Sequence, residues 1–231
     1  MKLIEENILG QAGDNMSRYL EVETWSRRQQ FELFKSYHNP FFNICVNIDV
    51  TPLLGLTRAM ENISFFIAYH FFSIKAANEV EPFRYRLRGE QVLVHDRIHA
   101  GTTLLLADEN FTFAYFDYTE DFDVFQTSAK ATIESAKAGG VQLYERAEQD
   151  DLIYHSVIPW ATFTSITHAR KGGRQESVPK IAFGKYREDG GRTMMPVSVE
   201  VHHALMDGLH VGRYFERLEN YFSNPRSALN L

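Results

Sequence analysis

The sequence predicts an α/β fold, a two-layer sandwich of helices on a mixed β-sheet, and three observations lead there. Strand-like and helix-like stretches interleave irregularly along the chain. The composition, 44% hydrophobic and 23% charged, is that of a folded globular protein. No internal repeat and no proline-rich or glycine-serine linker divides the 231 residues. A chain of this length can bury one sizeable core, so a single domain over residues 1–231 is expected, with Ala138-Gly139-Gly140 and Lys171-Gly172-Gly173 as loops inside it.

The elements follow in chain order. Residues 24–37 open on a threonine able to cap and repeat apolar positions at Trp25, Phe31 and Phe34, which predicts a helix. Residues 42–49 read as a strand. The apolar stretch 63–78, ending near Asn78 and Pro82, predicts a helix with one broad face in the core. Residues 83–87 and 91–95 flank the turn composition Arg88-Gly89-Glu90 and predict a hairpin. A strand over 111–115 and a surface helix over 121–138 come next. Strands are then expected at 163–166, 180–186 and 195–203, and a closing helix at 207–222.

Composition also excludes some function classes. The formal charge of -6, with no basic cluster longer than Arg170-Lys171, gives little reason to expect a nucleic-acid partner. Cys45 is the single cysteine, so there is no internal disulfide and no cysteine metal site; it reads as a small buried hydrophobe. The start, Met1-Lys2-Leu3-Ile4-Glu5-Glu6, lacks the basic and apolar regions of a signal peptide, and no 18-residue apolar run follows, so a cytoplasmic, membrane-free protein is expected. His38, His70, His95, His99, His155 and His168 show no pair at ligand spacing with a third donor, so no metal is expected. A Gly-x-Gly-x-x-Gly motif and a P-loop are both absent.

The segment that carries chemistry is His202-His203-Ala204-Leu205-Met206-Asp207-Gly208. Alternation puts Val197, Val199, Val201 and His203 on one strand face and Ser198, Glu200 and His202 on the other. A histidine on an apolar face can be a satisfied core residue or a catalyst, and alternation leaves both open. Its position is informative: directly after it the chain turns at Asp207-Gly208 into a helix whose Val211, Phe215, Leu218 and Phe222 recur at spacings of four, three and four. A strand terminus gives a base rigidity together with access. With an ordinary pKa of about 6.5, a neutral imidazole takes a proton from any hydroxyl within hydrogen-bond reach.

His-x-x-x-Asp-Gly at the end of an apolar strand resembles the signature of the CoA-dependent acyltransferases, shared by the chloramphenicol acetyltransferase family and the dihydrolipoyl acyltransferase cores. The run from His202 to Arg213, doubled histidine included, is similar to the former almost position by position. Trp25-Ser26-Arg27 is similar to that family's Trp-x-Arg segment, and Pro159-Trp160-Ala161-Thr162-Phe163-Thr164-Ser165 to its Pro-Trp-x-x-Phe-x-Ser segment. With Phe83-Arg84 and Lys185-Tyr186, the resemblance runs over residues 19–222.

The resemblance implies a homotrimer with active sites between subunits and acetyl-CoA as cosubstrate. It makes His203 the general base, Ser165 the oxyanion donor, and Asp207 with Arg27 a structural ion pair holding the turn. For Asp207, a solvent-exposed cap of the following helix is the alternative. Lys185 and Tyr186 resemble residues beside the CoA channel, and Phe31, Leu33 and Phe34 fall in the acceptor pocket. Two departures stand out. Ala182 occupies the place of a threonine that helps hold a water near the oxyanion, and Phe34 that of a tyrosine, so the acceptor need not be chloramphenicol. The function so implied is O-acetylation of chloramphenicol or a related small hydroxylated acceptor. A trimeric small-molecule binder without turnover and a dihydrolipoyl acyltransferase-type core are the alternatives.

Overall fold

The structure is a computed structural model that describes residues 17–140, 146, 149–170 and 176–231. The Lys171-Gly172-Gly173 loop and the reading of residues 1–6 lie outside the described residues. In chain order the elements are β1 (Arg18–Tyr19), α1 (Arg28–Phe34), β2 (Phe41–Asp49), α2 (Thr51–Ala59), α3 (Phe65–Glu79), β3 (Tyr85–Arg88), β4 (Gln91–Val94), β5 (His99–Leu105), β6 (Phe111–Phe116), α4 (Phe122–Lys137), β7 (Leu152–Ile158), β8 (Lys180–Gly184), β9 (Arg187–Asp189), β10 (Arg192–His202), α5 (Gly208–Ser223) and α6 (Pro225–Ala228).

The main sheet runs β2-β10-β8-β7-β5-β6, with β9 paired to β10. It is mixed: β8, β7 and β5 are parallel, while β2, β10 and β6 pair antiparallel to their neighbours. One face carries the core, where Val197, Val199, Val201 and Ile181 meet Phe71, Phe72, Phe125, Leu218 and Phe222 from α3, α4 and α5. A three-stranded sheet, β1-β4-β3, stands apart. Its hairpin turns at Gly89, whose φ of 59° lies in the left-handed region that glycine enters without a Cβ penalty. Phe31 joins that unit with Tyr85, Leu87, Val92, Val94, Ala204 and Leu205 as a second small core.

One expected element is absent. Residues 163–166 form no strand. Phe163 instead lies across the sheet at Gly184, where an added Cβ would sit 2.6 Å from the Phe163 ring and 2.6 Å from Pro196. An apolar alternation therefore marks a segment packed onto the sheet as well as one paired within it. The second face of β10 is covered as well: Ser198, Glu200 and His202 are buried. Residues 161–170 cover part of that face, with Lys185 N–H donating to Ala161 O (2.9 Å) and Lys180 Nζ to Ala169 O (2.7 Å).

Between α3 and the sheet lies a buried polar group. His70 donates through Nδ1 to Phe66 O (2.8 Å) and pairs through Nε2 with Thr102 (2.9 Å), and Ser73 bridges His155 (2.9 Å) and Tyr214 (2.8 Å). Burial pushes the His70 pKa down to about 4 and His155 in the same direction. Below about 6.5 the unfolded chain takes up protons that these folded rings refuse, so stability is retained above that pH and lost as pH falls toward 4. Each such ring contributes up to about 1.4 kcal/mol per pH unit in that window. Urea unfolding at pH 5 is expected to show roughly 2–4 kcal/mol less stability than at pH 7.5; equal midpoints would contradict the neutral buried rings.

Candidate active site

The site is built where β10 ends. Asp207 caps α5 by accepting from Leu209 N–H (3.1 Å), and His210 Nδ1 accepts from Asp207 N–H (3.1 Å), closing a capping box. Burial lowers the His210 pKa against the opposing pull of Asp207, whose Oδ1 lies 3.0 Å from the same Nδ1. The chain between strand and cap is thereby folded tightly enough to bring Met206 O back toward His203.

His203 Nδ1 lies 3.2 Å from Met206 O. A carbonyl oxygen only accepts, so Nδ1 carries the proton and Nε2 keeps its lone pair in the neutral ring. The ring is stacked on Phe34, with centroids 3.9 Å apart and planes at 8°, and is tilted against Phe42 at 4.7 Å. His203 N–H donates to Pro40 O (2.7 Å), continuing the pairing of β10 with β2 by one residue. The imidazole is thus fixed by a hydrogen bond, by two aromatic rings and by its own backbone, and it is half-buried.

Arg27, the residue before α1, forms an ion pair with Asp207 and donates through Nη2 to His203 O (3.3 Å). One guanidinium therefore ties together the helix that carries Phe34, the cap of α5 and the histidine backbone. Burial opposes the charge on Asp207, but Arg27 and His210 outweigh it and hold the carboxyl below the usual carboxylate range. Asp207 is about one-third exposed, so the full cost of breaking a buried pair does not apply. Asp207→Ala is expected to cost about 1–3 kcal/mol in urea unfolding, and Asp207→Asn less, because asparagine still caps.

The remaining expected site residues are not all together. Phe31 has no exposed surface and packs in the second core, under Trp25 (5.9 Å between ring centroids), so it supports a pocket wall from behind rather than lining one. Leu33 is 52% exposed on the outer side of α1. Ser165 lies exposed on the segment crossing the sheet. Lys185 and Tyr186 follow the end of β8 and border a cavity of about 1110 Å³ whose wall also includes Ser156, Trp160 and Ile166. Tyr186 stands edge-on to Phe65 (6.0 Å), and Trp160 is 64% exposed at the rim.

Ser156 went unnoticed in the sequence. It sits on β7 directly opposite Ala182, which is itself opposite Ser198, so the three share a sheet face. The signal was the alternation of Ile153, His155 and Val157 with Tyr154 and Ser156. Ala182 is fully buried in this row and offers no polar atom at its side chain. Among the described residues no group of His, Cys, Asp and Glu is arranged to hold a metal, and no helix is long and apolar enough to cross a membrane.

Comparison with known proteins places this geometry. The family profile of chloramphenicol acetyltransferase matches residues 15–219. Chloramphenicol acetyltransferase 3 of Escherichia coli is 26% identical over 206 residues, covering 86% of this chain and 93% of the relative. A chloramphenicol acetyltransferase of Proteus mirabilis is 26% identical over 204 residues, 87% of this chain and 93% of the relative. A solved chloramphenicol acetyltransferase superposes with a TM-score of 0.82 at 28% identity, over 90% of this chain and all of the other. The dihydrolipoamide acetyltransferase of Azotobacter vinelandii shares the fold alone, with a TM-score of 0.64 at 17% identity over 87% of this chain and 88% of the other. The histidine turn, the mixed sheet and the match over nearly the whole length agree: this chain belongs to the chloramphenicol acetyltransferase family and is an acyltransferase.

Proposed function

We propose that the protein transfers an acetyl group from acetyl-CoA to a small hydroxyl-bearing acceptor, with His203 as the general base. The observation that carries this reading is the bond from His203 Nδ1 to Met206 O, which leaves Nε2 as a bare acceptor on a ring clamped by Phe34 and Phe42. Nε2 takes the hydroxyl proton as the acceptor oxygen attacks the thioester carbonyl. The carbonyl oxygen becomes an anion, collapse of the tetrahedral intermediate expels the CoA thiolate, and the histidine returns the proton to it. Arg27 and Asp207 hold the turn and touch no reacting atom.

A developing oxyanion needs a fixed donor. Of the two candidate hydroxyls, Ser156 is in the wall of the 1110 Å³ cavity with Lys185, Tyr186 and Trp160, and its strand holds it rigidly. Ser165 is on an exposed, unpaired segment. The cavity geometry favours Ser156, and the cavity is the proposed CoA site: its apolar wall suits the pantetheine arm, and Lys185 offers a cation for the phosphates. The family resemblance supports a homotrimer in which His203 of one subunit faces the acceptor pocket of its neighbour.

Chloramphenicol, named in the relatives, is one acceptor to test among hydroxylated antibiotics. Release of free thiol from acetyl-CoA should require both protein and acceptor. Binding of acceptor with no thiol released would mean a sequestering protein and would overturn the proposal.

A further inference from the structure

The cavity proposed to hold CoA opens where two strands part. β5 and β7 pair in parallel from His99 opposite Leu152 to Thr102 opposite His155, and the pairing stops there, although β5 runs on to Leu105 beside β6 and β7 to Ile158 beside β8. The residues beyond this fork, Thr103, Leu104 and Leu105 on one strand and Ser156, Val157 and Ile158 on the other, line the cavity of about 1110 Å³. Thr102 and His155 are therefore the last paired residues before it opens.

Both are tied to α3, by two residues on one face of that helix. His70 accepts the Thr102 hydroxyl at Nε2 (2.9 Å), its Nδ1 being committed to donating to Phe66 O (2.8 Å). Ser73 bonds to His155 Nε2 (2.9 Å) and, on its other side, to the Tyr214 hydroxyl of α5 (2.8 Å). The two imidazoles lie beside each other, with centroids 5.1 Å apart, and all five side chains are buried.

We infer that His70, Ser73, Thr102, His155 and Tyr214 are positioning residues of the acyl-transfer site: they pin the two strands at the fork and so set the bore of the cavity and the place of Ser156. This rests on the acetyltransferase reading for what the site does, and extends it to what holds the site in shape.

Apolar burial holds α3 to the sheet but has no direction, so by itself it leaves the gap between two strands that have stopped pairing free to widen or close. A hydrogen bond fixes a distance and an angle, and breaking one here leaves a donor or acceptor stranded away from water. Burial lowers the His70 pKa to about 4 and the His155 pKa in the same direction, so the cluster is uncharged at neutral pH and its bonds persist there. Ser156 follows His155 directly and faces the other side of the sheet, so a shift of β7 at His155 is carried to the Ser156 hydroxyl. For a group that must meet a reacting atom, a displacement of about 1 Å can cost on the order of 10²-fold in rate.

The test compares Thr102→Val, which keeps the shape and loses the hydroxyl, with Thr102→Ser, which keeps the hydroxyl and loses a methyl group. Hydrogen–deuterium exchange of the whole protein is read by mass spectrometry. In Thr102→Val, peptides over residues 103–106 and 156–158 are expected to exchange at least about tenfold faster, while those over β2 and β10 keep the protection of the natural chain. Thr102→Ser should stay within about threefold at all of them. A role in packing alone reverses that order, because serine leaves the larger void, and would overturn the inference; so would equal acceleration over the whole sheet, or none. Where Thr102→Val does not fold, Ser73→Ala is set against Tyr214→Phe, which leaves the bond from Ser73 to His155. Faster exchange at 156–158 in Ser73→Ala alone is expected, and equal rates would count against the inference. In thiol release, kcat of Thr102→Val should fall about tenfold and that of Thr102→Ser should stay near the natural value; a folded Thr102→Val with unchanged kcat also counts against it. A natural chain that releases no thiol strikes the acetyltransferase reading alone, because exchange at the fork is read without acetyl-CoA and then decides the matter by itself.

Discussion

Replacing His203 by alanine is expected to lower kcat/KM for acetyl transfer by about 10²- to 10⁴-fold, with little change in the KM for acetyl-CoA. The reason is the placement of a single lone pair. Met206 O commits Nδ1 to donation, and the sandwich of Phe34 and Phe42 prevents the ring from turning. Alanine removes the proton acceptor but leaves the Arg27–Asp207 pair and the α5 cap in place, because both act through the backbone and the neighbouring turn. His203→Gln fills more of the space between the two rings and should be equally slow, which separates loss of the base from loss of packing. Initial rates of thiol release, with unfolding midpoints for both variants, make the comparison. Full turnover by either variant would remove the proposed mechanism whatever the acceptor.

The second large effect concerns the oxyanion. Ser156→Ala is expected to reduce kcat by about 10²- to 10³-fold, whereas Ser165→Ala should change it by less than about tenfold. Ser156 is carried by a central strand with neighbours on both sides, and a donor held in that way is already oriented before charge develops. Ala182, opposite it, supplies no second hydroxyl through which a water could share the load, so the serine should matter more. If Ser165→Ala were the slower variant, the thioester would have to lie over the exposed segment instead of inside the cavity. Both substitutions are small and isosteric apart from the hydroxyl, so kcat is the informative quantity.

Legibility in the sequence followed how locally each feature is determined. The turn from β10 into α5 was readable because capping, the apolar spacing of α5 and the alternation of β10 are all encoded within some thirty residues. The helices α3 and α4 were readable for the same reason, and both carry a side-chain cap, Ser64 and Asp121. By contrast β5 and β7 were missed. They are interior parallel partners, and their glycine, threonines, histidine and serine are buried by the sheet and α3 and not by any local pattern. The nine-residue α2 was missed as well, being short and interrupted by Gly55. Phe31 shows the same limit inside the site: helical spacing puts it beside Phe34, and only the packing of the small sheet decides that one ring enters a core while the other meets the imidazole. The pairing of Arg170 with Glu200 was invisible because a crossing segment and a strand thirty residues apart bring them together.

The tautomer of His203 is the most direct point of attack. With nitrogen-15-labelled histidine, two-bond proton–nitrogen correlation spectra at pH 8, compared with those of His203→Gln to identify the ring, should show Nδ1 protonated and Nε2 bare. A proton on Nε2, with Nδ1 bare, would contradict the account, because the nitrogen meant to receive the acceptor's proton would already be occupied.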